Sequence, residues 1–415
     1  MTPDRGGAAV SGAALAGLPP AVLRALTHPA PFALGLDAWL AAECGAARPE
    51  DLPAAVRARQ LELLNADLCH MALHGPLYRQ RLQATGRLST AGLRPLHDLS
   101  ELAELPFTTA DDLRPGEALL CVSRDAVARM VTVATSGSTG APKRLAFSDA
   151  ELARTRDFFA VGMAQMVTAG QRVAVLLPGA HRPRGITDLL SACLAPQGVR
   201  VTACMELAEA LLVAPQQAPG AERARLADLR CIWQALADTA PAGLALVLLP
   251  RQLEDLRQAF PQTPPGLSAV LCAADWLDPA LRRQVERDWD CPLLEHYGST
   301  ESAFAGAVQC RCREGRHVRA LDLLLEIVHP VTGEVLPAGE PGELVITTLQ
   351  RRAMPLLRYR TGDMASLLEG PCACGSPLPR LGPVLGRIVC DGKDFHLTHP
   401  RKGGAGEREP CAITL

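Results

Sequence analysis

Two hydrophobic periods take turns between residues 172 and 274, and this most constrains what the chain can become. Apolar stretches of strand length, "RVAVLLP", "VRVTAC", "GLALVLLP" and "LSAVLCAA", are separated by the helical patterns "GITDLLSACLA", "CIWQALADT" and "QLEDLRQAF". The strand segments are apolar almost throughout, so both of their faces must be covered. Strand and helix in alternation imply a parallel sheet with helices on both sides. Sheets of that kind place their binding groups at strand ends.

The rest of the chain is read around this body. With 415 residues, 48% of them hydrophobic, and a formal charge of −2, the chain can bury a large core. Near-neutral charge without long Lys/Arg runs gives no support for a nucleic-acid or membrane partner. The N-terminus has one basic residue before a weak apolar stretch broken by Gly and Pro, so it makes a poor export signal, and a cytoplasmic protein is expected. Residues 1–57 read as an accessory or mobile segment, 58–305 as the main α/β domain, 306–387 as a smaller β-rich subdomain with Gly turns, and 388–415 as a short tail. Ser148 and Glu151 form a capping box for a helix beginning "DAELARTRDFF".

Within the main domain, "TSGSTGAPK" (135–143) joins two alternating stretches, "RMVTVA" and "KRLAFS", so it is read as a loop between strands. A flexible polar loop is one reading. The other is a phosphate cradle, with backbone N–H groups converging on an anion, hydroxyls adding donors and Lys143 adding charge. Two residues separate Gly140 from Lys143, unlike the Walker loop with its adjacent Gly-Lys leading into a helix. Three more polar stretches follow apolar runs: "HYGSTE" (296–301), "GEPGELVIT" (339–347) and "RYRTGD" (358–363).

These four stretches, in this order and separation, resemble the adenylate-forming superfamily of acyl-CoA synthetases and AMP-binding domains. The upstream "PLYRQRL" and "LPFTTADDLR" and the cysteine pattern below are most similar to its phenylacetate-CoA ligase branch. The resemblance implies an α/β fold, with a large adenylation domain of parallel-type sheets flanked by helices and a smaller β-rich subdomain. It also implies roles. Thr135, Ser136, Gly137, Ser138, Thr139 and Gly140 would close over the ATP phosphates, with Lys143 as a neutralising charge. Tyr297, beside Gly298, would lie on adenine, Thr300 would bond near the α-phosphate, and Glu301 would hold Mg²⁺. Asp363 would accept from the ribose hydroxyls, and Arg387 would contact ribose or phosphate. Ala273, Ala274 and Asp275 stand where relatives carry a Gly-Glu turn beside adenine. Lys143, Thr300 and Glu301 are the implied catalytic set. The implied reaction activates a small carboxylic acid, aryl or arylacetyl by default, with ATP to give acyl-AMP and pyrophosphate. His181, Arg182 and Arg184 would either meet an anionic substrate or remain solvated loop residues.

Fourteen cysteines in a long chain without an export signal read as thiols, some of them metal ligands. "QCRCREGRH" and "GPCACGSPLPR" supply two Cys/His clusters that fit a tetrahedral structural zinc, buried free thiols being the alternative. The family pattern selects Cys310, His317, Cys372 and Cys374, leaving Cys312 spare. Relatives also continue into a mobile C-terminal lid. Residues 388–415 are too few for one, so the lid is expected to be absent or vestigial. That leaves thioester formation with CoA, or hand-over to a carrier or acceptor protein, open. A non-catalytic or partner-dependent nucleotide-binding protein is the alternative, and a homodimer is left open.

Overall fold

The computed structural model of this chain describes residues 18–114, 117–133, 142–212, 221–391 and 394–398. Four helices come first: α1 (Pro20–Thr27), α2 (Gly35–Cys44), α3 (Leu52–His74) and α4 (Pro76–Ala84). Proline in the first turn starts α1, α3 and α4, where its missing N–H has no helical partner to lose. From Pro20 onward, the segment read as a mobile or accessory cap is helical and packed. Trp39 on α2 is fully buried, and Glu43 pairs with Arg154 of the main body. A short hairpin, β1 (Leu88–Ser89) and β2 (Gly92–Leu93), follows.

Strands β3 (Arg129–Val133) and β4 (Lys143–Phe147) pair antiparallel, with Val133 opposite Lys143, so the two stretches that flank the expected loop are strands. Thr135, Ser136, Gly137, Ser138, Thr139 and Gly140 themselves lie outside the described residues. Helix α5 (Asp149–Gly162) starts at the anticipated box: the Ser148 amide donates to Glu151 at 2.9 Å, and the Glu151 amide donates back to the Ser148 hydroxyl at 3.4 Å.

The alternating region folds as its periods require. Strands β5 (Arg172–Val175), β6 (Arg200–Ala203), β7 (Leu244–Leu248), β8 (Leu267–Cys272) and β9 (Leu293–Tyr297) are parallel, in the order β6-β5-β7-β8-β9. Helices α6 (Ile186–Leu194), α7 (Met205–Leu212), α8 (Ala221–Asp238), α9 (Pro250–Ala259) and α10 (Pro279–Asp288) make the crossovers. Side chains alternate along each strand, so one strand feeds two cores. In β7, Leu244, Leu246 and Leu248 enter a core with α8, α9 and α10, while Ala245 and Val247 enter the larger core shared with α2 to α6.

This sheet does not end where the composition changes. Strands β10 (Ala307–Gln309) and β11 (Arg316–Val318) continue it antiparallel. The second, five-stranded antiparallel sheet begins only with β12 (Leu323–Val328), followed by β13 (Gly342–Thr348) and β14 (Tyr359–Ala365). Two short strands, β15 (Leu367–Leu368) and β16 (Arg380–Leu381), return to the large sheet, and β17 (Gly386–Asp391) and β18 (Asp394–Thr398) complete the small one. A division at residue 306 therefore runs through one hydrogen-bonded sheet. Backbone pairing decides the boundary, and composition does not report it.

Candidate active site

Strand β9 delivers Tyr297 at its C-terminal end, and the chain then turns sharply through Gly298 to Phe304. Gly298 is required there, because a Cβ at this position would lie 2.5 Å from both His296 Cε1 and the Phe304 carbonyl oxygen. The Ser299 amide donates to the Ser302 hydroxyl at 2.9 Å, and Ala303 and Phe304 adopt left-handed backbone. Thr300 and Glu301 are presented by this turn. Ala273, Ala274 and Asp275 follow the neighbouring strand β8 at the same end of the sheet; Ala274 is left-handed at φ 66°. The Asp275 carboxylate caps the Trp276 amide at 2.8 Å.

The small sheet brings the opposite wall. Asp363 on β14 and Arg387 on β17 are direct cross-strand partners, and Arg387 Nη1 donates to Asp363 Oδ1 at 2.6 Å. The Tyr297 hydroxyl donates to the other oxygen, Asp363 Oδ2, at 2.8 Å. Burial, then the Asp363 charge, raise the Tyr297 hydroxyl well above its ordinary pKa, so it stays a donor. Arg387 keeps 58% of its side chain exposed although its guanidinium is tied to Asp363, leaving it accessible from solvent.

A second group of charges sits beside the first. Lys143, the first residue of β4, pairs with Glu301 Oε1, and the Tyr359 hydroxyl donates to the same oxygen at 2.9 Å. Burial pushes the Glu301 carboxyl up, but the Lys143 charge and these hydrogen bonds outweigh it and hold the group below its ordinary value. Arg351, buried over the Phe147 ring at 4.5 Å, donates to the Glu301 carbonyl. Tyr359 also feels the charges of Arg387 and Asp363, so the two groups form one electrostatic unit. The structure thus brings together Lys143, Tyr297, Gly298, Thr300, Glu301, Asp363 and Arg387. His181, Arg182 and Arg184 are exposed. Tyr359 and Arg351 were not foreseen. Tyr359 lies inside "RYRTGD", two strand periods before Asp363, so alternation could have found it; Arg351 carries no signal outside its tertiary contacts.

Cys310, His317, Cys372 and Cys374 also converge, their ligand atoms all lying within 4.8 Å of one another. Cys310 Sγ is 3.7 Å from Cys372 Sγ, and Cys374 Sγ is 3.6 Å from His317 Nε2. A tetrahedral thiolate site with bonds of about 2.3 Å spaces its ligand atoms about 3.7 Å apart, so donor set and spacing both fit zinc. Burial, reinforced by Arg380, lowers His317 to about 4 and keeps its imidazole neutral, as a metal ligand must be. Cys312 is exposed, outside this cluster.

The AMP-binding enzyme family matches residues 121–350. The phenylacetate-coenzyme A ligase of Thermus thermophilus is 33% identical over 343 residues, covering 80% of this chain and 70% of that protein. The enzyme of the same name from Pseudomonas putida is 30% identical over 345 residues, covering 80% and 71%. Among solved structures, an open conformation of 2-hydroxyisobutyryl-CoA ligase in complex with 2-HIB-AMP and CoA aligns with a TM-score of 0.61. At 18% identity, covering 84% of this chain and 73% of that one, it is a likeness of fold. No helix among the described residues is long and apolar enough to cross a membrane. A sheet built as the alternation required, a site with its polar motifs at the strand ends, and these relatives agree: the chain belongs to the AMP-binding enzyme family, in its phenylacetate-CoA ligase branch, and is an adenylate-forming ligase.

Proposed function

We propose that this chain activates an aryl or arylacetyl acid with ATP and Mg²⁺, and passes the acyl group to coenzyme A. The observation that carries the reading is the meeting of Tyr297, Asp363 and Arg387 with Lys143 and Glu301 where the two sheets face each other. A carboxylate flanked by a phenol and a guanidinium suits a nucleoside: Asp363 accepts from the ribose hydroxyls, Tyr297 offers its ring to the base, and Arg387 turns to ribose or phosphate. Ala273, Ala274 and Asp275 border the base. Thr300 and residues 135–140 donate to the phosphates. The names of the relatives supply the acid class and the thiol acceptor.

In the first step an oxygen of the acid bonds to the α-phosphorus. The bond from that phosphorus to the bridging oxygen breaks, and pyrophosphate leaves with the electron pair. No side chain acts as nucleophile, so the protein's contribution is position and charge. Lys143 meets the phosphates' negative charge. Glu301 is a buried, acceptor-only carboxylate whose charge Lys143 balances, and it would hold Mg²⁺, which neutralises phosphate oxygens when bound. In the second step the CoA thiol gives its proton to solvent, its sulfur bonds to the acyl carbon, and the bond from that carbon to the phosphate oxygen breaks, so AMP leaves with the electron pair. Cys310, His317, Cys372 and Cys374 would hold a structural zinc that ties β10 and β11 to the loop before β16, away from the chemistry.

The test is pyrophosphate release with ATP, Mg²⁺ and a panel of aryl and aliphatic acids, with and without CoA. Release with aryl acids, and acyl-CoA when CoA is present, supports the reading. AMP binding without release from any acid would replace it with a binding-only protein.

A further inference from the structure

Tyr359, in "RYRTGD", faces the site through its hydroxyl and is given no part in holding nucleotide. Its backbone is fixed from two directions. Tyr359 pairs with Ile346 on β13, Thr108 forms a parallel bridge to it, and the Thr108 amide donates to the Arg358 carbonyl at 3.1 Å. Tyr359 is 3% exposed, so its hydroxyl has little freedom to choose a partner. That hydroxyl donates to Glu301 Oε1 at 2.9 Å and lies 3.5 Å from Lys143 Nζ. An ionised carboxylate only accepts and an ammonium only donates, so the phenol donates a hydrogen bond to Glu301 and accepts one from Lys143. Lys143 and Tyr359 therefore donate to the same oxygen, Oε1.

The two donors differ in charge, and that decides which one stays. A divalent cation held by Glu301 would repel the Lys143 ammonium and so free its charge for the phosphates. The phenol is neutral and suffers no such repulsion. We propose that Tyr359 is a positioning residue for the catalytic cation: its hydroxyl secures one oxygen of Glu301 and leaves the other to the metal. Outer donors of this kind orient metal-binding carboxylates and tune their affinity. Arg351 does the same for the backbone, gripping the Glu301 carbonyl from a guanidinium stacked on Phe147, four residues along β4 from Lys143. The inference rests on the reading of Glu301 as the metal ligand.

The experiment is a Mn²⁺ titration followed by electron paramagnetic resonance on the full chain holding α,β-methylene-ATP, for wild type, Tyr359→Phe and Glu301→Gln. The phenylalanine removes one hydroxyl and keeps the ring and the strand pairing. We expect Tyr359→Phe to bind Mn²⁺ about tenfold more weakly. Its affinity for metal-free nucleotide should match wild type, with a thermal midpoint within about 3 °C. Glu301→Gln should lose more. Unchanged Mn²⁺ affinity in Tyr359→Phe alongside a weakened Glu301→Gln would overturn the inference alone. Unchanged affinity in both would remove Glu301 as the ligand, and the inference with it.

Discussion

Asp363 and Arg387 face each other across β14 and β17 with 2.6 Å between carboxylate and guanidinium, while the second Asp363 oxygen takes the Tyr297 hydroxyl at 2.8 Å. Both carboxylate oxygens are therefore already oriented before a nucleotide arrives. If ribose hydroxyls bond to this carboxylate, Asp363→Ala removes two charge-assisted hydrogen bonds, about 3 kcal/mol together. AMP affinity measured by calorimetry should fall about a hundredfold, and an unchanged value would assign the nucleotide to another surface.

Gly298 is enclosed by His296 and the Phe304 carbonyl at 2.5 Å from a hypothetical Cβ. One of these contacts is backbone, which cannot rotate away. Gly298→Ala should cost about 2–3 kcal/mol in denaturant unfolding and displace the Thr300–Glu301 turn, so pyrophosphate release should fall with stability. Wild-type stability would mean that the turn opens without strain.

Ala274 holds a left-handed backbone at φ 66° where glycine carries no steric penalty. Ala274→Gly should raise the unfolding free energy by about 0.5–1 kcal/mol, after the extra chain entropy of glycine is deducted. Equal or lower stability would show that the surrounding turn has absorbed the strain.

Asp67 on α3 is buried, and its carboxyl is pushed up to about 6 by that burial, against the opposing pull of Arg352 and the Gln350 amide. Because the folded value exceeds the unfolded one, near 3.8, the folded state binds the proton more tightly. Its stability contribution is full below the unfolded value and is lost as pH rises through the folded value. Asp67→Asn should therefore stabilise the protein by on the order of 2 kcal/mol at pH 7.5. That gain should vanish near pH 4, and a pH-independent difference between the two proteins would contradict the assignment.

The Cys310, His317, Cys372 and Cys374 cluster should retain one zinc per chain through purification. Cys372→Ser with Cys374→Ser should abolish the metal, measured by mass spectrometry, and lower the thermal midpoint. Metal-free wild-type protein of full stability would leave three free thiols beside a neutral imidazole.

The physics of short range is written in the chain. Alternating periods determined a parallel sheet with two cores, because a strand buried on both faces must be apolar on both. Ser148 and Glu151 determined where α5 starts, because capping is a contact between neighbours. Motif order likewise pointed to Tyr297, Glu301 and Asp363 as candidates, and the structure brings them together. What only the tertiary structure decided is who touches whom across long separations: that Lys143 is balanced by Glu301, 158 positions away, that Tyr359 shares the same oxygen, and that β10 and β11 join the large sheet. Such pairings depend on how two sheets and a hairpin are brought face to face, and a local pattern carries no record of the surface it will meet. The same holds for Arg351, whose guanidinium is explained only by the Phe147 ring beneath it and the Glu301 carbonyl before it.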